Sequence, residues 1–423
     1  MTPVSTAALH DLWTRLDAPG PPPAMTWRGR STGLASPLPV EALALGSVGA
    51  AVALAGGSEV DLARVGSSLR ADQLLRVDGE NPGGFARLSG FWATTDGWLR
   101  THANYPHHRA RLLAALDLPD DAGREDLAAA LAGRGALEVE EAVVGTGGIG
   151  VAVRDRATWL DTPQGAAVAA EPLVDVRRTD VPVDPPQRRP RVLDLTRVLA
   201  GPVATRTLAL AGADVLRVDP PGIPEIAAQH VDTGLGKRTT ILDAADPRLR
   251  ELADAADVVV TAYRPGALDR FGLGPDDLLA RHPGLVVVRL DAWGWTGPWA
   301  GRRGFDSIVQ AAGGIAVASS TGERPGALPA QALDHATGYL AAASALLGLR
   351  ERSSRGGSVR DLALARTAEW LWAHPELVTE APPVEPVRQT MGRVEVPPPV
   401  LGDAWAGPAH ELGADAPRWA EPL

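Results

Sequence analysis

The chain has 423 residues, more than the roughly 250–300 at which one hydrophobic core stops growing, so more than one domain is expected. Hydrophobic residues make up 45%, and a net charge of −10 argues against a nucleic-acid partner, which needs a basic excess. The lack of cysteine excludes disulfides, thiolate metal sites and a cysteine nucleophile, and it fits a reducing, cytoplasmic setting.

Residues 1–10 lack the basic and apolar layout of a signal peptide. Ala42–Ala55, the longest apolar run, is too short to cross a membrane and reads as a buried helix, so no membrane partner is expected. Val40-Glu-Ala-Leu-Ala-Leu-Gly46, followed by an alanine-rich helix and Val60-Asp-Leu-Ala-Arg-Val65, echoes a later passage. That passage is Ala332-Leu-Asp-His-Ala-Thr-Gly338, again an alanine-rich helix, then Val359-Arg-Asp-Leu-Ala-Leu364. Residues 1–89 are either a partial, degenerate copy or a second Ala/Leu helix that only looks alike. As a copy, it has Ala42 opposite Asp334, with Glu41 as the neighbouring carboxylate.

Asn81-Pro-Gly-Gly84 reads as a turn or, less commonly, as glycine-rich backbone whose amides can approach an oxyanion closely. Thr94 to Arg109 opens a helical region running to about Glu141, and Arg156–Gly165 closes a smaller α+β domain over 90–178. His107 and His108, after Pro106, read as loop, and the nine histidines lack ligand spacing, so no metal is expected. The proline-rich stretch 179–190 is an extended linker.

From Val192 the pattern changes. Val192–Leu195 is a strand-forming run, Ala200-Gly201-Pro202 a sharp turn, Val203–Ala211 a helix stopped by Gly212, and Val215–Val218 a second strand. Val258–Thr261 and Leu285–Leu290 add two more, with helices over Pro247–Ala256 and Pro275–Arg281 between them. Alternation of helices with unbroken apolar strands predicts an α/β fold. Residues 191–375 should form a doubly wound, Rossmann-like parallel sheet with ligand loops at the strand ends. Residues 376–423 read as a proline-rich strap.

Two residues carry competing readings. Asp334 heads an apolar helix over His335–Arg350, where an aspartate serves as an N-cap or, less commonly, as a nucleophile favoured in its ionised form by the helix dipole. Lys237 is the only lysine among 41 basic residues, either by chance or as a compact charge for phosphate.

Residues 192–221, 236–240, 257–272 and 293–306 resemble the class III CoA-transferases, a family that includes formyl-CoA and carnitine CoA-transferases, with α-methylacyl-CoA racemases as relatives. The resemblance implies CoA transfer between an acyl-CoA and a small carboxylic acid, through an anhydride and a thioester on Asp334, with Gly338 four residues on. It implies coenzyme A as a co-substrate, no tightly bound cofactor, and a homodimer. Lys237, Arg238, Arg270 and Arg303 would hold the CoA phosphates. Ala200 and Gly201 would admit the pantetheine arm, and Ala267 and Phe271 would line the adenine. The family's small domain normally follows the sheet domain, whereas here it precedes it, so the order is permuted.

Three alternatives remain open. The racemases carry a His-Asp pair where this chain has Phe305-Asp306, leaving His335 as the substitute imidazole. A dinucleotide-dependent oxidoreductase would use Asp219 on the ribose, but the first turn lacks G-x-G-x-x-G, and Pro202 removes an amide. A non-catalytic CoA-binding relic is the third.

Overall fold

A computed structural model describes residues 3–223 and 225–421; Met1 and Thr2, which head the stretch read for a signal peptide, Pro224, and Pro422 and Leu423 of the expected strap lie outside it.

The main sheet has seven strands: β1 (Val174–Arg178), β2 (Arg191–Leu195), β3 (Asp214–Asp219), β4 (Arg238–Ile241), β5 (Val258–Thr261), β6 (Val286–Asp291) and β7 (Ser358–Ala363). Their spatial order is β4-β3-β2-β5-β6-β7-β1. All neighbours run parallel except β1, which lies antiparallel on β7. Side chains alternate between two cores: Val258 and Val260 enter one, Val259 the other. A sheet buried on both faces needs apolar residues at successive positions, which is why β5 and β6 read as unbroken valine runs.

The first core is covered by α3 (Ala200–Leu210) and α4 (Ala332–Arg355). Leu249, Leu252 and Leu278, from the helices Pro247–Asp254 and Pro275–Arg281, cover the second. The chain leaves β2 toward one edge and β5 toward the other, so a crevice opens beyond the C-terminal ends of these two adjacent strands.

Three strands escaped the apolar pattern. β4 is a short edge strand with the sequence RTTI. β7 carries Arg360, whose guanidinium is buried against Glu351 at 2.7 Å. β1 lies before the linker, so the sheet takes its last strand from the segment expected to be a separate domain.

The expected helical region from Thr94 is corrected at its start. Gly90–Thr94 and Gly97–Thr101 form an antiparallel hairpin joined to Gly150–Ala152, and the helices begin only at Pro106–Ala115. The Thr95-Asp96 turn is followed by Gly97 at φ +154°, a conformation that favours glycine. Asp96 also accepts the main-chain N–H of Ala136 at 2.8 Å, which ties the turn to the start of the helix Ala136–Gly145.

At the N-terminus, α1 (Pro3–Arg15) packs on α2 (Val40–Leu54), and α2 is buried along its whole length against α1 and α4. The two echoing passages therefore lie against one another. No described helix is long and apolar enough to cross a membrane. Near the C-terminus, Gln389–Met391 pairs with Val394–Val396, which in turn pairs with Arg76–Val77. Farther on, the Asp415 main chain donates to the Thr239 carbonyl at 2.8 Å, covering the β4 edge.

Candidate active site

The loop from β2 into α3 is the tightest part of the site. A Cβ on Gly201 would stand 2.3 Å from that of Thr196, so only glycine fits. Val198 holds φ +70°, where a β-branched side chain costs about 1–3 kcal/mol and persists only if its surroundings impose it. Glu225 does so, accepting the Val198 N–H at 2.9 Å and also the Tyr105 hydroxyl at 2.6 Å and Arg217 at 2.8 Å. Strain of this kind concentrates where geometry matters for function.

Beside this loop stands Asp334. Helix α4 begins at Ala332, earlier than the sequence implied, and its N-cap, Gln331, offers no side-chain cap. Asp334 therefore lies inside the first turn and does not act as the cap. Capping falls to Asp306, whose Oδ2 accepts the Asp334 main-chain N–H at 3.0 Å, while Gln310 donates to its other oxygen. A Cβ on Gly338 would lie 2.5 Å from the Ala200 carbonyl oxygen, so this glycine lets α4 cross α3 at close range. That crossing brings Asp334 to the β2–α3 loop.

The electrostatics correct one expectation. Asp334 is only 8% exposed. Burial, reinforced by Asp306 and then Asp72, pushes its carboxyl well above the usual range, and burial pushes Asp306 up to about 6. At Asp334, desolvation and the neighbouring carboxylates outweigh the helix terminus and favour the neutral acid.

Two cavities meet here. The larger, about 390 Å³, opens at the strand ends and is lined by Leu195, Ala262 and Asp291, with Arg197, Arg264, Arg302 and Arg303 around it. The smaller, about 110 Å³, is lined largely by apolar groups, including Leu75, Phe85 and Ile226. Asp334, Val198, Leu199 and Phe305 line both.

Of the residues singled out from the sequence, Ala200, Gly201, Ala267, Arg303 and Asp334 line the larger cavity together. Others lie elsewhere. Lys237 is 2% exposed, its Nζ 2.9 Å from Asp194 and 2.9 Å from the Pro202 carbonyl, so it ties β2 to α3 and has no charge to offer a phosphate. Arg238, on edge strand β4, binds Asp214 at 2.8 Å and the Arg418 carbonyl at 2.7 Å. Arg270 is exposed with its guanidinium over the ring of Phe271, and Phe271 packs against the second core; neither lines either of these two cavities.

The minor candidates are also accounted for. Glu41 accepts from Ser31, from Thr32 twice and from Thr379, a structural role. Asp219 is held by Arg217 through two contacts of 2.8 Å and is not free for a ribose. His335 is fully buried and lines neither cavity.

Sequence reasoning missed several lining residues. His107 and His108 stand in the first turn of the helix Pro106–Ala115, not in a loop, and line the larger cavity with Tyr105. Proline at the first helical position was the available signal. Arg264, which also lines the larger cavity, lies within the 257–272 stretch but was not among the expected cations. Pro82–Gly84, from the glycine stretch already singled out, wall the smaller cavity with Phe85, and His102, which was missed, stacks on Phe305 at 3.8 Å between ring centroids and 12° between planes. Burial holds the His102 pKa well below its ordinary value, so the ring is neutral.

The family model for CoA-transferase family III matches residues 190–398. The chain is 34% identical over 228 residues to a probable fatty acyl-CoA transferase of Mycobacterium tuberculosis, covering 48% of this chain and 58% of that protein. It is 31% identical over 218 residues to a succinyl-CoA:glutarate CoA-transferase of Mus musculus, covering 48% and 47%. A solved M. tuberculosis structure aligns at 35% identity and a TM-score of 0.41, covering 46% of this chain and 59% of that one. The chain thus spans about half the length of the curated relatives it matches. Over residues 190–398, just under half of its length, the chain is similar to CoA-transferase family III.

Proposed function

We propose that the protein is a cytoplasmic CoA-transferase that moves CoA from an acyl-CoA thioester to a small carboxylic acid, with Asp334 as the nucleophile. One observation carries this reading: the buried Asp334 carboxyl lies on the wall shared by two unlike cavities, one rimmed by arginines and one apolar. A thioester carbonyl beside Asp334 would have its nucleotide phosphates in the first and its acyl group in the second. The strand order and two buried faces support a doubly wound, Rossmann-like sheet, whose ligands bind at the crevice where that larger cavity opens.

In this scheme the Asp334 carboxylate attacks the thioester carbonyl, the C–S bond breaks, and CoA thiolate leaves an acyl-aspartyl anhydride. The thiolate then attacks the aspartyl carbonyl, releasing the first acid and leaving an aspartyl-CoA thioester. The acceptor carboxylate attacks that thioester, giving a second anhydride and CoA thiolate. Attack of the thiolate on the acceptor carbonyl yields the new acyl-CoA and frees Asp334. Each intermediate stays activated, so the burial of Asp334 serves to keep water from it. The first step needs the anion, and Asp334 must lose its proton before attack.

The test is mass spectrometry after incubation with acyl-CoA followed by hydroxylamine. A hydroxamate on Asp334, absent from the Asp334→Ala variant, is expected. Its absence with every acyl-CoA that binds would overturn the reading.

A second reading, α-proton exchange on an acyl-CoA, has one specific observation in its favour. Phe305 occupies the position of the racemase imidazole, yet the neutral ring of His102 stacks on it and lines the smaller cavity with Asp334. Deuterium entering the α-carbon without acyl transfer, and lost in His102→Ala, would select this reading.

A further inference from the structure

The smaller cavity has a chemical character of its own. Its volume, about 110 Å³, is below the roughly 150 Å³ of an engineered apolar cavity that holds one benzene. Leu75, Phe85, Ile226 and Phe305 supply apolar surface, and among the described residues no lysine or arginine lines it. Its two carboxylates besides Asp334 differ. Asp232 is neutralised by Arg206. Asp72 has an Oδ1 that is buried without a hydrogen-bond partner, so its charge is uncompensated on that side.

On the CoA-transferase reading of Asp334, we infer that this cavity takes the acyl group, and that the group is short and uncharged, a monocarboxylic chain of about four or five non-hydrogen atoms. The carbonyl carbon stands at Asp334, and the rest of the chain reaches toward Leu75 and Ile226. An apolar end replaces water there with favourable contact. A second carboxylate would be stripped of water with no cation to receive it, and it would face Asp72. Uncompensated buried charge of this kind weakens binding on the order of 100-fold or more.

Butyryl-CoA and succinyl-CoA form a matched pair, since both chains have four carbons and succinyl replaces the terminal methyl with a carboxylate. Titration calorimetry of the full chain at pH 7.5, with free CoA as reference, reads acyl affinity without requiring turnover. Butyryl-CoA is expected to bind more tightly than CoA, and succinyl-CoA on the order of 100-fold more weakly than butyryl-CoA. Asp72→Asn, close in shape, should narrow that gap by about tenfold while leaving the affinity for CoA unchanged. Equal or tighter binding of succinyl-CoA, or an unaltered gap in Asp72→Asn, overturns the inference, as does an acyl group that adds nothing to the affinity of CoA. The nucleophile itself is judged separately, by the hydroxylamine adduct at Asp334, so the two failures are distinguishable.

Discussion

The main-chain N–H of Asp334 donates to Oδ2 of Asp306 at 3.0 Å, so one carboxylate holds the helix turn that carries the other. The two acids are bound together electrostatically as well, because the charge on Asp306 raises the pKa of Asp334. Both consequences are measurable.

Asp334→Asn is expected to abolish turnover and yet stabilise the protein at pH 8 by about 1–2 kcal/mol, since a buried acid that must ionise is removed. The sign follows from proton binding. Both carboxyls have folded pKa values above the ordinary carboxylate range, so the native state holds more protons than the unfolded one. Their stabilising effect is full at low pH and is lost as pH rises through the folded values, near 6 for Asp306. Urea unfolding of wild type and variant from pH 5 to 8 should show the difference widening with pH.

The rate should depend on pH through the same pair. Attack needs ionised Asp334, so kcat/KM is expected to rise with pH. Asp306→Asn keeps an acceptor for the helix turn but removes the charge, so the rise should move to lower pH. A profile that stays put, measured with one acyl-CoA donor over pH 5–9, would mean that Asp306 acts on Asp334 only through the hydrogen bond.

Lys237 is expected to matter for folding and not for CoA. Lys237→Met strands Asp194, which is fully buried and also accepts from Thr196 and Thr205, and should cost about 3–5 kcal/mol. Pairing it with Asp194→Asn should recover most of the loss. Denaturant titration measures the cycle. CoA affinity of the folded double variant should match wild type.

Arg264→Ala and Arg303→Ala should each weaken CoA binding by about tenfold, with the loss shrinking at high salt, because both guanidinium groups rim the larger cavity. Arg270→Ala, placed outside that lining, should leave affinity unchanged. Calorimetry at 50 mM and 500 mM salt separates the two classes.

The parallel sheet was legible in the sequence because burial on both faces leaves a local signature: the valine runs of β5 and β6 and the glycine turn after β2. The hairpin Gly90–Thr101 left a turn signal too, in Asp96-Gly97, but the helical residues after it obscured that signal. Asp334 could be singled out by its place at a helix start, and its raised pKa could not, because that depends on burial by the assembled fold and then on Asp306 and Asp72, distant along the chain.

The arginines make the same point. In sequence, Lys237, Arg238, Arg264, Arg270 and Arg303 are alike, cations in loops after or at strands. Tertiary structure alone decides that Lys237 is consumed by Asp194 and Arg238 by Asp214, while Arg264 and Arg303 face the cavity. Periodicity records whether a residue is buried, a property averaged over near neighbours. A charge is defined by its single partner, and that partner is set by which distant segments the fold brings within about 3 Å.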